Sequence, residues 1–212
     1  LWRAVPYFPA GSVHVAVVDP GVGTARRAIA AKLGEQCFVM PDNGFITPML
    51  VDAEAAGQDI VIVHLDKPEY WLESVYTTFH GRDIFAPVGA HLATGVPITK
   101  LGTVIHDPIR KPLPRPQQTD QGYFANIVVI DVFGNCSTNL RVAQIPNLAK
   151  TTLKIAGQTI HGIIPSYGHR AIGDLVAVTD SEGFVEIAVV NGSAAKTYGI
   201  QLDDPVEVFC DE

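Results

Sequence analysis

The sequence holds little of what builds stapled, metal-bound or strongly charged proteins. Its three cysteines, Cys37, Cys136 and Cys210, lie far apart, with no CxxC and no Cys/His ligand spacing. That excludes a zinc-ribbon pattern and a disulfide-dense scaffold. They read as reduced, mostly buried thiols of a cytoplasmic protein. Charged residues make up only 17% of the chain, and 22 acidic residues outnumber 15 basic ones, for a net charge of -7. A nucleic-acid or anionic-membrane surface needs clustered Lys and Arg, so neither partner is expected. No apolar run approaches the ~20 residues that span a bilayer. There is no GxSxG elbow, no HExxH and no EF-hand loop, so a serine hydrolase or zinc protease has no support. What remains is a chain of 212 residues, 47% hydrophobic, with a mean hydropathy of +0.21. That is a globular mix with room for one large domain or two small ones.

The pattern changes along the chain. SVHVAVVD (12–19), CFVMPDNG (37–44) and DIVIVHLD (59–66) read as short buried strands ended by turn residues. Segments 45–57 and 81–95 read as helices stopped by Gly57 and Gly95. Strands alternating with helices predict a layered α/β domain with a mostly parallel sheet. At 109–122, IRKPLPRPQQTDQG reads as an extended, proline-rich linker. Beyond it come closely spaced β-rich runs at 124–135, 151–157, 159–165, 175–180, 184–192 and 205–210. They predict an all-β, barrel-like domain. The expected division is 1–116 and 117–212.

Polar residues gather at four strand ends. Asp19-Pro20-Gly21-Val22-Gly23-Thr24-Ala25-Arg26-Arg27 joins a carboxylate, a glycine-rich turn and two guanidinium groups. In open α/β sheets this is where ligands sit. The glycines fit neither GxGxxG nor a Walker loop, and a turn closed by an Asp–Arg ion pair is the alternative. Pro41-Asp42-Asn43-Gly44 suits a turn. Thr77–Asp83 (TTFHGRD) places His80 where it can act as general base or orient water, or can simply lie at a helix start. Asp131–Asn139 (DVFGNCSTN) can hydrogen-bond a ligand's amine and carboxylate groups, or form an Asx-turn.

Together VVDPGVGTARR, PDNG, TFHGRDIFAP and VIDVFGNCSTNL resemble the S-adenosyl-L-methionine hydroxide adenosyltransferases, the adenosine-forming S-adenosylmethionine hydrolases. The resemblance runs in order from about residue 7 to the C-terminus. It implies an N-terminal α/β domain, a C-terminal β-barrel and a homotrimer. Each ligand pocket would lie between one subunit's N-terminal domain and a neighbour's C-terminal domain. It also implies S-adenosylmethionine as substrate, with no cofactor and no metal, and water attacking the ribose 5′ carbon to give adenosine and L-methionine. By motif position the water-activating set is Asp19, Arg26 and His80. Asp131 and Asn135 match the pair that holds the methionine amino and carboxylate groups. Ser181 matches a methionine-carboxylate contact, beside Glu182 where the related fluoride enzyme has Arg. Val190 and Asn191 fall where backbone groups read adenine. Arg82 and Asp83 read as braces of their loop.

The halogenases of this fold carry Tyr at the positions of Asp19 and His80, and the fluoride enzyme has Ser at Gly81. A carboxylate at Asp19 repels a halide, which ranks hydrolysis above a chlorinase-type reaction. A non-catalytic S-adenosylmethionine- or adenosine-binding protein is the other alternative. LWRAVPYFPAGS reads like the middle of a protein. The family's first strand, and the Asp of a TDFG-like motif that grips the ribose hydroxyls, are expected to precede it.

Overall fold

The computed structural model describes residues 1–210. The chain divides into two compact units between Leu113 and Pro114, inside the proline-rich stretch.

The first unit is built on five strands: β1 (Val13–Val15), β2 (Ala28–Leu33), β3 (Gln36–Pro41), β4 (Ile60–His64) and β5 (Thr103–Val104). Their spatial order is β1-β3-β2-β4-β5. Side chains alternate between the two faces of the sheet. On one face Ile29, Ala31, Leu33, Phe38 and Met40 pack with Met49, Leu50 and Ala53 of helix α1 (Thr47–Ala55). On the other, Ala28, Ala30, Val39 and Val63 pack with Ile84, Phe85 and Val88. Those last residues belong to a π-helical turn, Gly81–Phe85, that runs into helix α2 (Ala86–Ala93). The unit is therefore a three-layer α/β sandwich, as its alternating elements suggest.

The expected direction of the strands is corrected. Only β1 and β3 run parallel; the β2–β3, β2–β4 and β4–β5 pairings are antiparallel. The cause is local. Gly34 and Glu35 form a two-residue turn, with Gly34 at φ +58°, that folds β2 directly onto β3. AIAAKL is alanine-rich, so its strand does not stand out in the sequence. The strand expected over 12–19 also ends early, at Val15, before the chain turns at Asp19-Pro20.

The second unit is nearly all β. Its strands are β6 (Gln117–Thr119), β7 (Gly122–Ile130), β8 (Cys136–Arg141), β9 (Thr152–Ile155), β10 (Gln158–His161), β11 (Ile163–Ile164), β12 (Leu175–Thr179), β13 (Phe184–Val189) and β14 (Pro205–Phe209). Eight follow the order β10-β9-β14-β7-β8-β13-β12-β11, and β6 adds to β7. β10 lies against β12, so the sheet curls into a nearly closed barrel. Its interior holds Ile127, Leu140, Leu153, Val185, Ile187, Val206 and Val208. One short helix, α3 (Ala194–Tyr198), starts on a Ser193 side chain that accepts the Lys196 N–H, and ends on Gly199 at φ +68°. No helix among the described residues is long and apolar enough to cross a membrane.

Candidate active site

Two segments of the first unit, the loop before β2 and the stretch leading into the π-helical turn, bring Asp19, Arg26 and His80 together. Arg26 donates through Nη2 to Asp19 Oδ2 in an ion pair. The same Nη2 lies 3.1 Å from His80 Nδ1. Arg26 Nη1 donates to the Arg27 carbonyl at 3.2 Å, and its guanidinium carbon stands 5.3 Å from the Phe85 ring centre. The pair is buried, with Arg26 and Asp19 side chains only 9% and 6% exposed. Two of its polar atoms, Asp19 Oδ1 and Arg26 Nε, are buried without a hydrogen-bond partner in the protein. Each such atom costs about 1–3 kcal/mol, so the arrangement is not one that packing alone favours.

The loop that carries Asp19 is shaped by its own residues. The Thr24 hydroxyl donates to the Gly21 carbonyl at 2.7 Å and accepts the Arg26 N–H at 3.3 Å. Gly23 sits at φ +78°, and a Cβ there would fall 2.7 Å from Thr77 Cγ2. Glycine therefore lets this loop lie against the segment leading to His80. The PDNG turn holds the approach to Asp19: the Asn43 side-chain amide donates to the Val18 carbonyl at 2.8 Å. Asp42 itself is buried and accepts from Arg27 Nε at 2.9 Å and from the Ile109 N–H at 2.8 Å. Arg27 is thereby a structural residue, in contrast to its neighbour Arg26.

The π-helical turn places His80. The Ala86 N–H donates to the Gly81 carbonyl, five residues back. Asp83, fully buried, accepts from Arg82 Nε at 2.6 Å and from the Tyr76 N–H at 2.8 Å. The Arg82 guanidinium and that N–H hold the Asp83 carboxyl below the ordinary carboxylate range. Arg82 also lies over the Phe79 and Tyr76 rings, at 4.8 and 5.3 Å. Arg82 and Asp83 thus brace the 72–80 segment. A Cβ on Gly81 would meet Val17 at 3.4 Å, so the turn packs against the strand tail before Asp19.

The second unit carries Asp131 and Asn135 in one closed loop. Asp131 Oδ1 accepts the N–H groups of Phe133 and Asn135, both at 2.9 Å, and Oδ2 accepts the Asn135 side-chain amide at 3.0 Å. Gly134 turns the loop at φ +87°, and a Cβ there would lie 1.9 Å from Ser193 Oγ. The loop also touches the segment after β13, since the Ala195 N–H donates to the Gly134 carbonyl at 3.0 Å. Ser181 is exposed on the turn before β13, at that strand's other end from Val190 and Asn191. The Val190 N–H donates to the Asp174 carbonyl and its carbonyl accepts the Gly173 N–H, at 3.0 and 2.9 Å. Asn191 takes the left-handed conformation, φ +56°.

Several participants have no motif of their own. Phe85 backs Arg26, and Thr77 and Val17 fix how closely the loops approach. A second group surrounds Glu186 on β13: the Tyr167 hydroxyl donates to it at 2.6 Å and the Ser137 hydroxyl at 3.3 Å. Burial, then the Glu186 hydrogen bond, push the Tyr167 phenol up. A glutamate inside the apolar run FVEIAVV was the signal for this group. Among the described residues, no cluster of three or more His, Cys, Asp or Glu is placed to hold a metal ion.

An α/β sandwich with a partly unsatisfied Asp–Arg–His set, joined to a barrel-like β unit, defines a two-domain enzyme class. The chain belongs to the SAM hydroxide adenosyltransferase family. The family model for the N-terminal domain matches residues 1–102 and that for the C-terminal domain residues 125–207. The chain is 40% identical over 211 residues to a protein of Salinispora tropica named (R)-S-adenosyl-L-methionine hydrolase, covering 98% of this chain and 78% of the relative. A Thermus thermophilus protein of the same name is 36% identical over 212 residues, covering 99% and 80%. Fluorinases match at 24–25% identity. A solved structure of an uncharacterized conserved protein from Thermotoga maritima superposes with a TM-score of 0.86 at 32% identity, covering 98% of this chain and 80% of the other.

Proposed function

We propose that the protein hydrolyses S-adenosyl-L-methionine to adenosine and L-methionine, with Asp19, Arg26 and His80 holding and activating the attacking water. The observation that carries this reading is the buried Asp19–Arg26 pair, which leaves Asp19 Oδ1 and Arg26 Nε without protein partners beside His80. A carboxylate oxygen and an N–H, both desolvated and belonging to one ion pair, suit a water molecule that donates to the first and accepts from the second. The names of the relatives at 36–40% identity supply the substrate. The chemistry fits. The sulfonium leaves as a neutral thioether and needs no acid, so a site that aligns and activates water is sufficient. Asp131 and Asn135 are assigned to the methionine amino and carboxylate groups, with Ser181, and Val190 and Asn191 to adenine; Gly81 lets the His80 turn sit close to the reacting carbon. Both Val190 backbone groups are engaged within the protein, and the carbonyl, which keeps a second lone pair, is the group assigned to the base. The assembly in this reading is a homotrimer, which light scattering reads directly.

The test is chromatography of S-adenosylmethionine incubated with the protein, with and without chloride. Adenosine and methionine in equal amounts, lost in Asp19→Ala, are expected. Binding without turnover would make the protein a nucleoside-binding module. The match to fluorinases favours one further reading, halogenation, and 5′-chloro-5′-deoxyadenosine formed in chloride would reveal it; the Asp19 carboxylate opposes it.

A further inference from the structure

A guanidinium donates hydrogen bonds and accepts none, and it stays protonated in proteins. Arg26 Nη2 at 3.1 Å from His80 Nδ1 therefore requires a lone pair on Nδ1. A singly protonated imidazole meets this in one way, with its hydrogen on Nε2. An imidazolium would set a second N–H against the cation.

We propose that Arg26 is a positioning residue that fixes the tautomer of His80. His80 then faces the reacting water as an Nε2–H donor and has no lone pair left to take a proton. The proton acceptor is Asp19 Oδ1, the one carboxylate oxygen of the group that is buried without a protein partner. Asp19 Oδ2 is committed to the same Nη2 atom, so one nitrogen of Arg26 orients both partners. For the water the group offers one acceptor, Asp19 Oδ1, and the donors Arg26 Nε–H and His80 Nε2–H, of which the attacking water accepts one and keeps its second lone pair for C5′.

This division of labour rests on the hydrolase reading, and its step balances within it. A lone pair of the water oxygen forms the bond to C5′ as the C5′–S bond breaks. That bond's electron pair stays on sulfur, which becomes the neutral thioether of methionine. The water's proton passes to Asp19 Oδ1 and then to solvent. One sulfonium cation and one water give adenosine, methionine and one proton.

The experiment is long-range proton–nitrogen correlation NMR on the full chain labelled with nitrogen-15 in its seven histidines, His80 being assigned by the signal missing from His80→Asn. The expected result is an Nε2–H tautomer for His80 at neutral pH, replaced by a tautomer mixture in Arg26→Met. An Nδ1–H or imidazolium signature in the unmodified protein overturns the proposal, whatever the variants do. The kinetic arm compares His80→Gln, whose amide N–H reaches the place of Nε2, with His80→Asn, whose amide does not. His80→Gln is expected to keep kcat within ~10-fold of the unmodified protein and His80→Asn to lose the ~10²-fold or more typical of a lost proton-transfer or orienting group. Equal losses in the two would make His80 the base and overturn the assignment. The tautomer is read without substrate. Absence of adenosine formation would thus count against the hydrolase reading and leave the tautomer result standing.

Discussion

Asp131 and Asp19 both lie beyond extended segments, and they spend their carboxylates in opposite ways. Asp131 closes on its own loop, both oxygens taken by the nearby Phe133 and Asn135. Asp19 meets Arg26 of its own loop and, through it, His80 from a distant segment, and keeps one buried oxygen free of the protein. A loop that satisfies itself is rigid before any ligand arrives, which suits recognition. A group that leaves a desolvated acceptor and donor open stores its unmet hydrogen bonds for the reacting species, which suits chemistry. The first unit thus holds the open, partly unsatisfied group and the second the prebuilt loop.

Substitutions at the two aspartates sharpen that contrast most strongly. Asp19→Asn is expected to lower kcat by ~10²–10⁴-fold, measured as adenosine release at saturating substrate. An Asp19→Asn enzyme of undiminished kcat would break the comparison outright. Gly134→Ala comes next, because its positive φ and the nearby Ser193 hydroxyl leave no room. It should destabilise the second unit by about 1–3 kcal/mol, seen as an earlier thermal transition, whereas Gly81→Ala, facing Val17 at 3.4 Å, should move that transition little. Asp131→Asn should raise KM about tenfold, about 1.4 kcal/mol of binding, with kcat nearly kept. A fall confined to kcat would mean that the loop shares in the chemistry.

The smallest expected effect is in pH. In the first unit Thr103 holds Asp66, Arg82 holds Asp83 and Arg27 holds Asp107 below the ordinary carboxylate range. Lowered folded values give stability that is present above the ordinary pKa of about 4 and is lost as pH falls through the lowered values. In the second unit burial, then the nearby Asp131, Glu186 and Asp204 carboxylates, push the Cys136 thiol from an ordinary 9.0 up to about 11. A raised value gives stability that is present below 9.0 and is lost as pH rises toward about 11. Acid should therefore loosen the first unit before the second, and alkali the reverse. Both tryptophans, Trp2 and Trp71, lie in the first unit, so their fluorescence follows that unit alone. Circular dichroism follows both. A tryptophan transition in alkali that precedes the dichroism change would contradict the assignment.

The sequence made the layers and the barrel legible, because runs such as FVEIAVV and LVAVT carry strand composition and end at clear turn residues. It hid the direction of the first sheet. AIAAKL is buried in all but Lys32 because helices cover both faces, and small alanines suit that crowding while masking the strand. Asp19 and Arg26 were visible as a spaced pair in one loop. That His80 joins them, 54 residues after Arg26, follows from packing of the Thr77 segment on Gly23 and was carried only by the family resemblance. Phe85 under Arg26 and Tyr167 on Glu186 depend on pairings across the sheet and barrel, and local sequence holds no record of them.

The π-helical turn at Gly81–Phe85 carries a consequence for chain length. Such a turn holds one residue more than an α-helical register needs. Deleting one residue from it would close it to an α-helical turn with the flanking backbone keeping nearly the same facing, and Phe85 and Val88 still free to bury themselves. The wide turn is thus slack in the chain: a change of length between His80 and Phe85 is taken up there before it reaches either end.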